Sequence, residues 1–367
     1  MRVDSLILEG FRNYELSSVG FDPGINVITG ENAQGKTNLL EAVYMLTCGR
    51  SFRTRFDREL IGFSAPFAKI DAHIFAQERQ QRIEISMLPG RKKILKANGS
   101  RITGAGLTDI ISAVLFCPDD LYVIREGASA RRKLMDMAIS QLRPGYQGLI
   151  SEYSRLLEHK TRILKDWREK PSLLEMLDDI SMQMCLCSAR IIRYRASFVR
   201  RLDEAAGPIH DKVSSGRDRL ELRYRTVSTV PDPFAPAEEI FDHVCRHQSA
   251  HREAELGSGS CLTGAHKDDI EIDINGRSAR SFASQGQTRT AALSIKLAER
   301  EIHLADSGEY PILLLDDVLS ELDSTRQDFV LSRITGGQTL ITCCEDERIV
   351  QRTGGRVIFI KNGKVEV

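Results

Sequence analysis

Neither sign of charge prevails in this chain, because 51 lysines and arginines offset 51 aspartates and glutamates. That balance excludes a whole-molecule field drawing the protein onto nucleic acid or an anionic membrane, so any polyanion site has to be local. No stretch is apolar for long enough to cross a bilayer, and the run Leu6-Ile7-Leu8 is too short for a signal-peptide core. A cytoplasmic protein without a membrane partner is expected. The eight cysteines include no paired C-x-x-C, which argues against a zinc ribbon or a disulfide framework and for reduced thiols. His243, His247 and His251 fall four apart on a predicted helix, but no known metal spacing is completed and a solvated face accounts for them. Low-complexity sequence is also missing, and 41% hydrophobic with 28% charged residues is a globular composition. The 367 residues suffice for two domains, or for one domain with a large insertion.

What is present is a G-x-x-x-x-G-K-[ST] sequence, Gly30-Glu31-Asn32-Ala33-Gln34-Gly35-Lys36-Thr37. The apolar strand Ile25-Asn26-Val27-Ile28-Thr29 leads into it, and a run of good helix formers from Asn38 to Leu46 follows, stopped by Gly49. Glycines let backbone N–H groups turn inward around phosphates, and a helix start favours negative charge. Lys36 can then reach the outer phosphates and Thr37 can ligate magnesium, which makes the segment a candidate ATP site. Such a metal needs a carboxylate, and the apolar strand Ile312-Leu313-Leu314-Leu315 ends in Asp316-Asp317. Asp316 is read as the magnesium partner, and Asp317, on the opposite side of the strand end, as the general base that polarises the attacking water. Ser284-Gln285-Gly286-Gln287 opens an Ala/Leu-rich helix. By itself it is a good N-cap, but its hydroxyl and N–H groups can also cap the γ-phosphate of a second molecule. Ser320-Glu321-Leu322-Asp323 then carries acid past the metal strand.

Three short alternating segments, 69–75, 82–88 and 92–97, are divided by polar or Pro-Gly turns and read as an antiparallel meander. From about 129 the pattern changes to long helical periodicity with only Pro144, Pro171 and Pro208 as interruptions, so residues 129–216 are expected to form a helical arm. Strand signals at 220–224 and 270–274 mark the return of the head, assigned to 1–128 and 217–367. A helix at 287–305, strands at 312–315 and 339–342, and a hairpin at 357–367 turning at Asn362-Gly363 complete it. The fold class is α/β, a mixed sheet plus the meander, with an inserted helical domain.

The order of P-loop, long gap, S-x-G-Q helix, apolar strand with D-D and then S-x-L-D resembles the ABC-type ATPase head of transporters and SMC chromosome proteins. Within that superfamily several segments resemble the RecF family of recombination-repair proteins. These are Phe11-Arg12-Asn13-Tyr14, the P-loop running on through Asn38-Leu39-Leu40-Glu41-Ala42, Phe116-Cys117-Pro118-Asp119-Asp120-Leu121, Arg131-Arg132, Gly264-Ala265-His266-Lys267-Asp268-Asp269 and Ser284 through Ala292. The inserted arm is also too short for the heptad coiled coil of an SMC protein. The resemblance implies an ABC-type head that binds ATP and Mg2+ and forms an ATP-dependent homodimer. It also implies binding to gapped, duplex or junction DNA, slow DNA-stimulated hydrolysis, and RecA loading together with RecO and RecR. It brings Arg12, Asn13 and Asn38 to the nucleotide on one side, and Ser284, Gly286, Gln287 and Asp323 from the other copy.

Two departures stand out. Where ABC transporters carry a switch histidine this chain reads Leu340-Ile341-Thr342-Cys343-Cys344-Glu345, and Ala265 and Lys267 replace the proline and arginine usual in the RecF pattern. The first implies slow turnover and opposes the rival reading of an ABC transport subunit; an SMC-like structural clamp is the other alternative. For DNA, basic clusters occur at Arg50, Arg53 and Arg55, at Arg91-Lys92-Lys93, at Arg131-Arg132-Lys133, and at Arg190, Arg193, Arg200 and Arg201, the last beside Tyr194 and Phe198.

Overall fold

Alternating burial along Arg2–Phe11, where Val3, Leu6 and Leu8 point inward, makes that strand one layer of an antiparallel sheet. The order across this sheet is Tyr14–Gly20, Arg2–Phe11, Ala68–Ala76, Arg79–Met87, Ile94–Ala97 and Ser100–Ile102, so the expected meander is joined by the first two strands of the chain. Asn98-Gly99 turns the last hairpin with both residues at positive φ, the geometry that matches strand twist. The structure is a computed structural model that describes residues 1–334, 336–344 and 351–366. The expected Glu345 and the final residue of the 357–367 hairpin lie outside them.

A second six-stranded sheet carries Lys364–Glu366, Arg356–Lys361, Ile25–Thr29, Thr339–Thr342, Ile312–Asp316 and Ala113–Phe116 in that order, parallel except for the terminal hairpin pair. Ile312–Asp316 is buried at every position, which is why it reads as an unbroken apolar run and not as an alternation. Lys36–Cys48 is apolar nearly all round and almost wholly buried, and Gly49 at φ 68° ends it, its N–H donating to the Met45 carbonyl.

These two sheets belong to one unit, Met1–Tyr122 with Arg289–Val367; the other unit is Val123–Thr288. The divisions differ from the expected 128/129 and 216/217. Leu220–Arg225, Asp269–Ile274 and Arg277–Ser278 pair only with one another, in a three-stranded sheet. Leu220–Arg225 packs on the helix Leu177–Ser214, so the strands expected to reopen the head finish the helical unit instead. That unit also holds the helices Ala128–Leu142, Pro144–Asp166 and Ala237–Ser258. Pro144 opens its helix at the first position, where its missing N–H costs nothing, whereas Pro208 lies inside Leu177–Ser214. Every cysteine in the chain is a free thiol. Among the described residues no helix is long and apolar enough to cross a membrane, and no cluster of three metal-ligating side chains occurs. His247 and His251 stack with ring centroids 4.2 Å apart.

Candidate nucleotide site

The P-loop hangs between the strand Ile25–Thr29 and the helix Lys36–Cys48 and is braced from both sides. Gly30 has φ 144°, and a Cβ there would come within 2.3 Å of the Ile360 carbonyl. Gly35 has φ 118° and packs against Asn13, whose side chain would meet a Cβ at 2.7 Å, so both glycines of the loop serve close approach. Asn13 Nδ2 donates to the Gln34 carbonyl at 2.8 Å, and Asn38 Nδ2 donates back to Asn13 Oδ1 at 2.8 Å. Tyr14 Oη donates to the Gly35 carbonyl, while the Asn362 and Gly363 N–H groups donate to Gln34 Oε1 and its carbonyl. Ala33 stands at φ 63°, the left-handed bend that turns successive amides inward.

Lys36 Nζ donates to the carbonyls of Gly30 and Glu31 and lies 3.5 Å from Cys344 Sγ, whose thiol donates to Asn32 Oδ1 at 2.7 Å. Cys344 therefore sits beside the phosphate-loop lysine, in the segment where a histidine was missing. Thr37 Oγ1 donates to Asp316 Oδ1 at 2.9 Å, and Thr342 Oγ1 donates to the same oxygen at 2.9 Å. Burial pushes the Asp316 carboxyl above its usual range, while the two hydroxyls and Arg53 pull the other way. A buried carboxylate beside a threonine hydroxyl is a hard-oxygen pair that fits a small divalent cation. Thr342 was not anticipated; it is the last residue of the parallel neighbour of the strand that ends in Asp316, the one signal that could have found it. Asp317 turns away at φ 53° with its N–H donating to Thr342 Oγ1, and Ser320 Oγ donates to its carbonyl and carboxylate.

Arg12 is turned from the loop. Its guanidinium donates to both oxygens of the fully buried Glu41, at 2.9 and 2.7 Å, and to the Glu59 carbonyl. Arg53, expected at DNA, donates to Asn38 Oδ1 at 2.8 Å and lies 3.7 Å from Glu41, which places it at the nucleotide helix. Asp323 caps the helix Ser324–Arg333, accepting from the Arg326 N–H at 3.0 Å. In the other unit, Ser284 Oγ accepts from the Gln287 N–H at 3.2 Å and Gln287 Oε1 accepts from the Ser284 N–H at 3.0 Å, a reciprocal capping box at the start of Gln285–Ser307. Gln287 Nε2 is held by Asp218, and Gly286 lies between the paired residues.

A family model described as the RecF/RecN/SMC N terminal domain matches residues 2–363. The DNA replication and repair protein RecF of Acetivibrio thermocellus is 37% identical to this chain, with 98% of each covered. The chain belongs to the RecF family. A second RecF, from Bacillus subtilis, is 37% identical with 96% of each chain covered. A solved structure described as the recombination mediator protein RecF-ATPrS in the RecFOR pathway superposes with a TM-score of 0.92 at 30% identity, covering 100% of this chain and 97% of that one. The corresponding RecF-ATP structure gives 0.86 at 31%, covering 100% and 98%. An SMC head bound to the winged-helix domain of ScpA matches at a TM-score of 0.58 and 16% identity, covering 100% and 96%, which shows the ABC-type head fold alone.

Of the basic clusters expected to meet DNA, Arg131 is buried and donates to both carboxylate oxygens of Asp269 at 2.7 and 2.8 Å, and Arg132 donates to the Asp268 carbonyl. Arg131 is thereby committed to the fold, because burial plus a bidentate carboxylate leaves its guanidinium no face for phosphate. Arg190 and Arg193 are exposed on Leu177–Ser214, and Arg200 stacks over Phe234 at 4.6 Å; Phe198, expected as their apolar flank, is core. Arg50 and Arg55 are exposed in the loop after the nucleotide helix. The Gly264–Asp269 motif is fixed by Arg195, which sequence reading passed over inside the same cluster. Its guanidinium donates to Asp136, to Asp268 Oδ2 and to the Ala265 carbonyl.

Proposed function

We propose that this chain is an ATP-gated DNA-binding protein of recombinational gap repair. The observation that carries the reading is the P-loop whose Thr37 hydroxyl meets Asp316, in a chain that follows RecF-ATPrS over its whole length. ATP lies along the loop, its phosphates met by the backbone N–H groups of residues 32–37 and by Lys36, which gives up its bonds to the Gly30 and Glu31 carbonyls. Thr37 and Asp316 hold Mg2+, which supplies charge neutralisation of the outer phosphates when bound. Asn13 and Asn38 fix the loop's outer wall, and Arg12 reaches the nucleotide by leaving Glu41.

A second copy closes the site. Its Ser284, Gly286 and Gln287 present a helix start to the γ-phosphate, and its Asp323 turn completes the wall, so that ATP ties two chains into a homodimer. Asp317 accepts the proton of the attacking water, in a site without a switch histidine, and turnover is slow and raised by DNA. The dimer brings together two sets of Arg50, Arg53, Arg55, Arg190, Arg193 and Arg200 and binds gapped, duplex or junction DNA more tightly than either copy does alone. With RecO and RecR it promotes RecA loading, working in the cytoplasm.

The test is affinity for gapped, duplex and single-stranded DNA with ATP, with ADP and without nucleotide. ATP should tighten binding, and Lys36→Ala should abolish that gain. DNA affinity indifferent to ATP and to Lys36→Ala sinks the reading. Asp317→Asn should trap an ATP-bound dimer without turnover, detected as a stable sedimenting dimer; undiminished hydrolysis would remove Asp317 from the role.

A further inference from the structure

Two basic segments about forty residues apart in sequence meet on one surface. Lys93, in the turn between Arg79–Met87 and Ile94–Ala97, bridges Asp57 at 2.6 Å, which ties the turn that carries Arg91 and Lys92 to the loop that carries Arg55 and Arg58. All four of these cations are exposed. Of the acids in the loop, Asp57 is spent on Lys93 and Glu59 accepts from the Thr54 hydroxyl.

The same loop carries two exposed aromatics. Phe56 and Phe63 flank the turn Asp57–Leu60; Phe56 is 57% exposed and Phe63 fully so. Apolar rings held in water are normally withdrawn by a flexible loop, but this backbone is pinned. Arg12 N–H donates to the Leu60 carbonyl at 2.8 Å, Gly62 N–H to the Gly10 carbonyl at 2.9 Å and Ala65 N–H to the Gly62 carbonyl at 2.9 Å, and Leu60 is core. A rigid loop that holds the Phe63 ring outward among cations, with the Arg58 guanidinium 5.3 Å from the centroid of the Phe56 ring, has the make-up of a stacking platform: cations track phosphates while the open ring faces take bases of any sequence.

We infer that the surface formed by Phe56, Phe63, Arg55, Arg58, Arg91 and Lys92 binds the unpaired bases of a single-stranded segment of nucleic acid. Paired bases expose no face to a ring, so the surface distinguishes single strand from duplex. The inference rests on the proposed DNA binding and adds to it the part of the substrate that this face reads. The loop also touches the nucleotide helix, since Arg53 and Ser51 donate to Asn38 and Glu41, so the platform stands on the element that follows the P-loop.

Fluorescence anisotropy with a labelled oligonucleotide and with a blunt duplex of equal length, using the full chain, tests this. Phe63→Ala and Phe56→Ala should each weaken single-strand binding about five- to one-hundred-fold and leave duplex binding within about twofold, and Phe63→Trp should restore it. Replacing Arg55 and Lys92 by serine should lower the slope of log affinity against log salt by about 0.7 per cation on single strands. Because Phe63 is wholly exposed, its loss leaves the fold intact, and an unchanged melting temperature verifies this. Equal affinity of the Phe63→Ala and wild-type chains for single strands overturns the inference, as does an equal loss on duplex. Loss of self-association in Phe63→Ala, with DNA binding intact, also overturns it by assigning the face to a second copy. A wild-type chain that binds neither oligonucleotide fails the proposed function, and the platform with it.

Discussion

Asp268 and Asp316, one in each unit, are both buried, and burial pushes both carboxyls above their usual range, Asp268 to about 6. Their partners differ. Asp268 receives the Arg195 guanidinium at 3.0 Å, the Tyr224 hydroxyl at 2.5 Å and the Thr226 hydroxyl at 2.8 Å. Asp316 receives two hydroxyls, and among the described residues no cation pairs with it. A buried carboxylate with its counter-ion built in is architecture; one offered only hydroxyls lacks a counter-ion of its own, which the proposed Mg2+ would supply. Burial and a raised pKa alone would have ranked the two together.

The largest effect that separates them should come from Arg195→Ala. It strands Asp136 and Asp268 and should cost about 3–5 kcal/mol in urea unfolding. A loss under 1 kcal/mol would mean that water reaches the pair. Asp316→Asn should do the reverse, lowering kcat for ATP by about a hundredfold or more while thermal stability without nucleotide holds or rises, since a charge disfavoured by burial is gone. Unfolding of that variant would make Asp316 architectural too. A smaller effect belongs to His266, which burial holds down to about 4 against an ordinary 6.5. The unfolded chain takes up a proton near 6.5 and the folded chain resists until near 4, so the stability present above 6.5 drains away as pH falls. Between pH 7 and pH 5 this amounts to about 2 kcal/mol, absent in His266→Gln melts. The smallest should be Thr342→Val, about 1 kcal/mol for one hydroxyl donor to Asp316, read from paired denaturation curves.

What could be read from the sequence was local. Ile25–Thr29, the loop and Lys36–Cys48 announce themselves because strand, glycine turn and helix are each encoded within a few residues, and the three Asn-Gly hairpins at 98, 275 and 362 follow from φ alone. Asp316 was legible because a five-residue buried parallel strand has few spellings. Partnerships across the chain were not. Nothing local distinguishes a strand that rejoins the head from Leu220–Arg225, which pairs only within its own unit, so the expected boundary at 216/217 came too early. Arg131 read as surface charge because the carboxylate that claims it, Asp269, lies elsewhere in the sequence, and the contacts of the exposed Arg53 with Asn38 and Glu41 lie on another element. Cys344 was visible only as a missing histidine, and its place beside Lys36 required coordinates.

The P-loop strand Ile25–Thr29 is flanked by Arg356–Lys361 and Thr339–Thr342, and Gln34 is held by Asn362 and Gly363. The loop therefore obtains its walls from segments far along the chain, Gln34 from Asn362 at a separation of 328 residues. During synthesis the helical unit has its whole sequence available before either flanking strand emerges, so the loop gains its walls only after that unit can fold. Nucleotide binding at this loop thus reports that two segments distant in sequence have met, which makes it a readout of long-range folding as well as of chemistry.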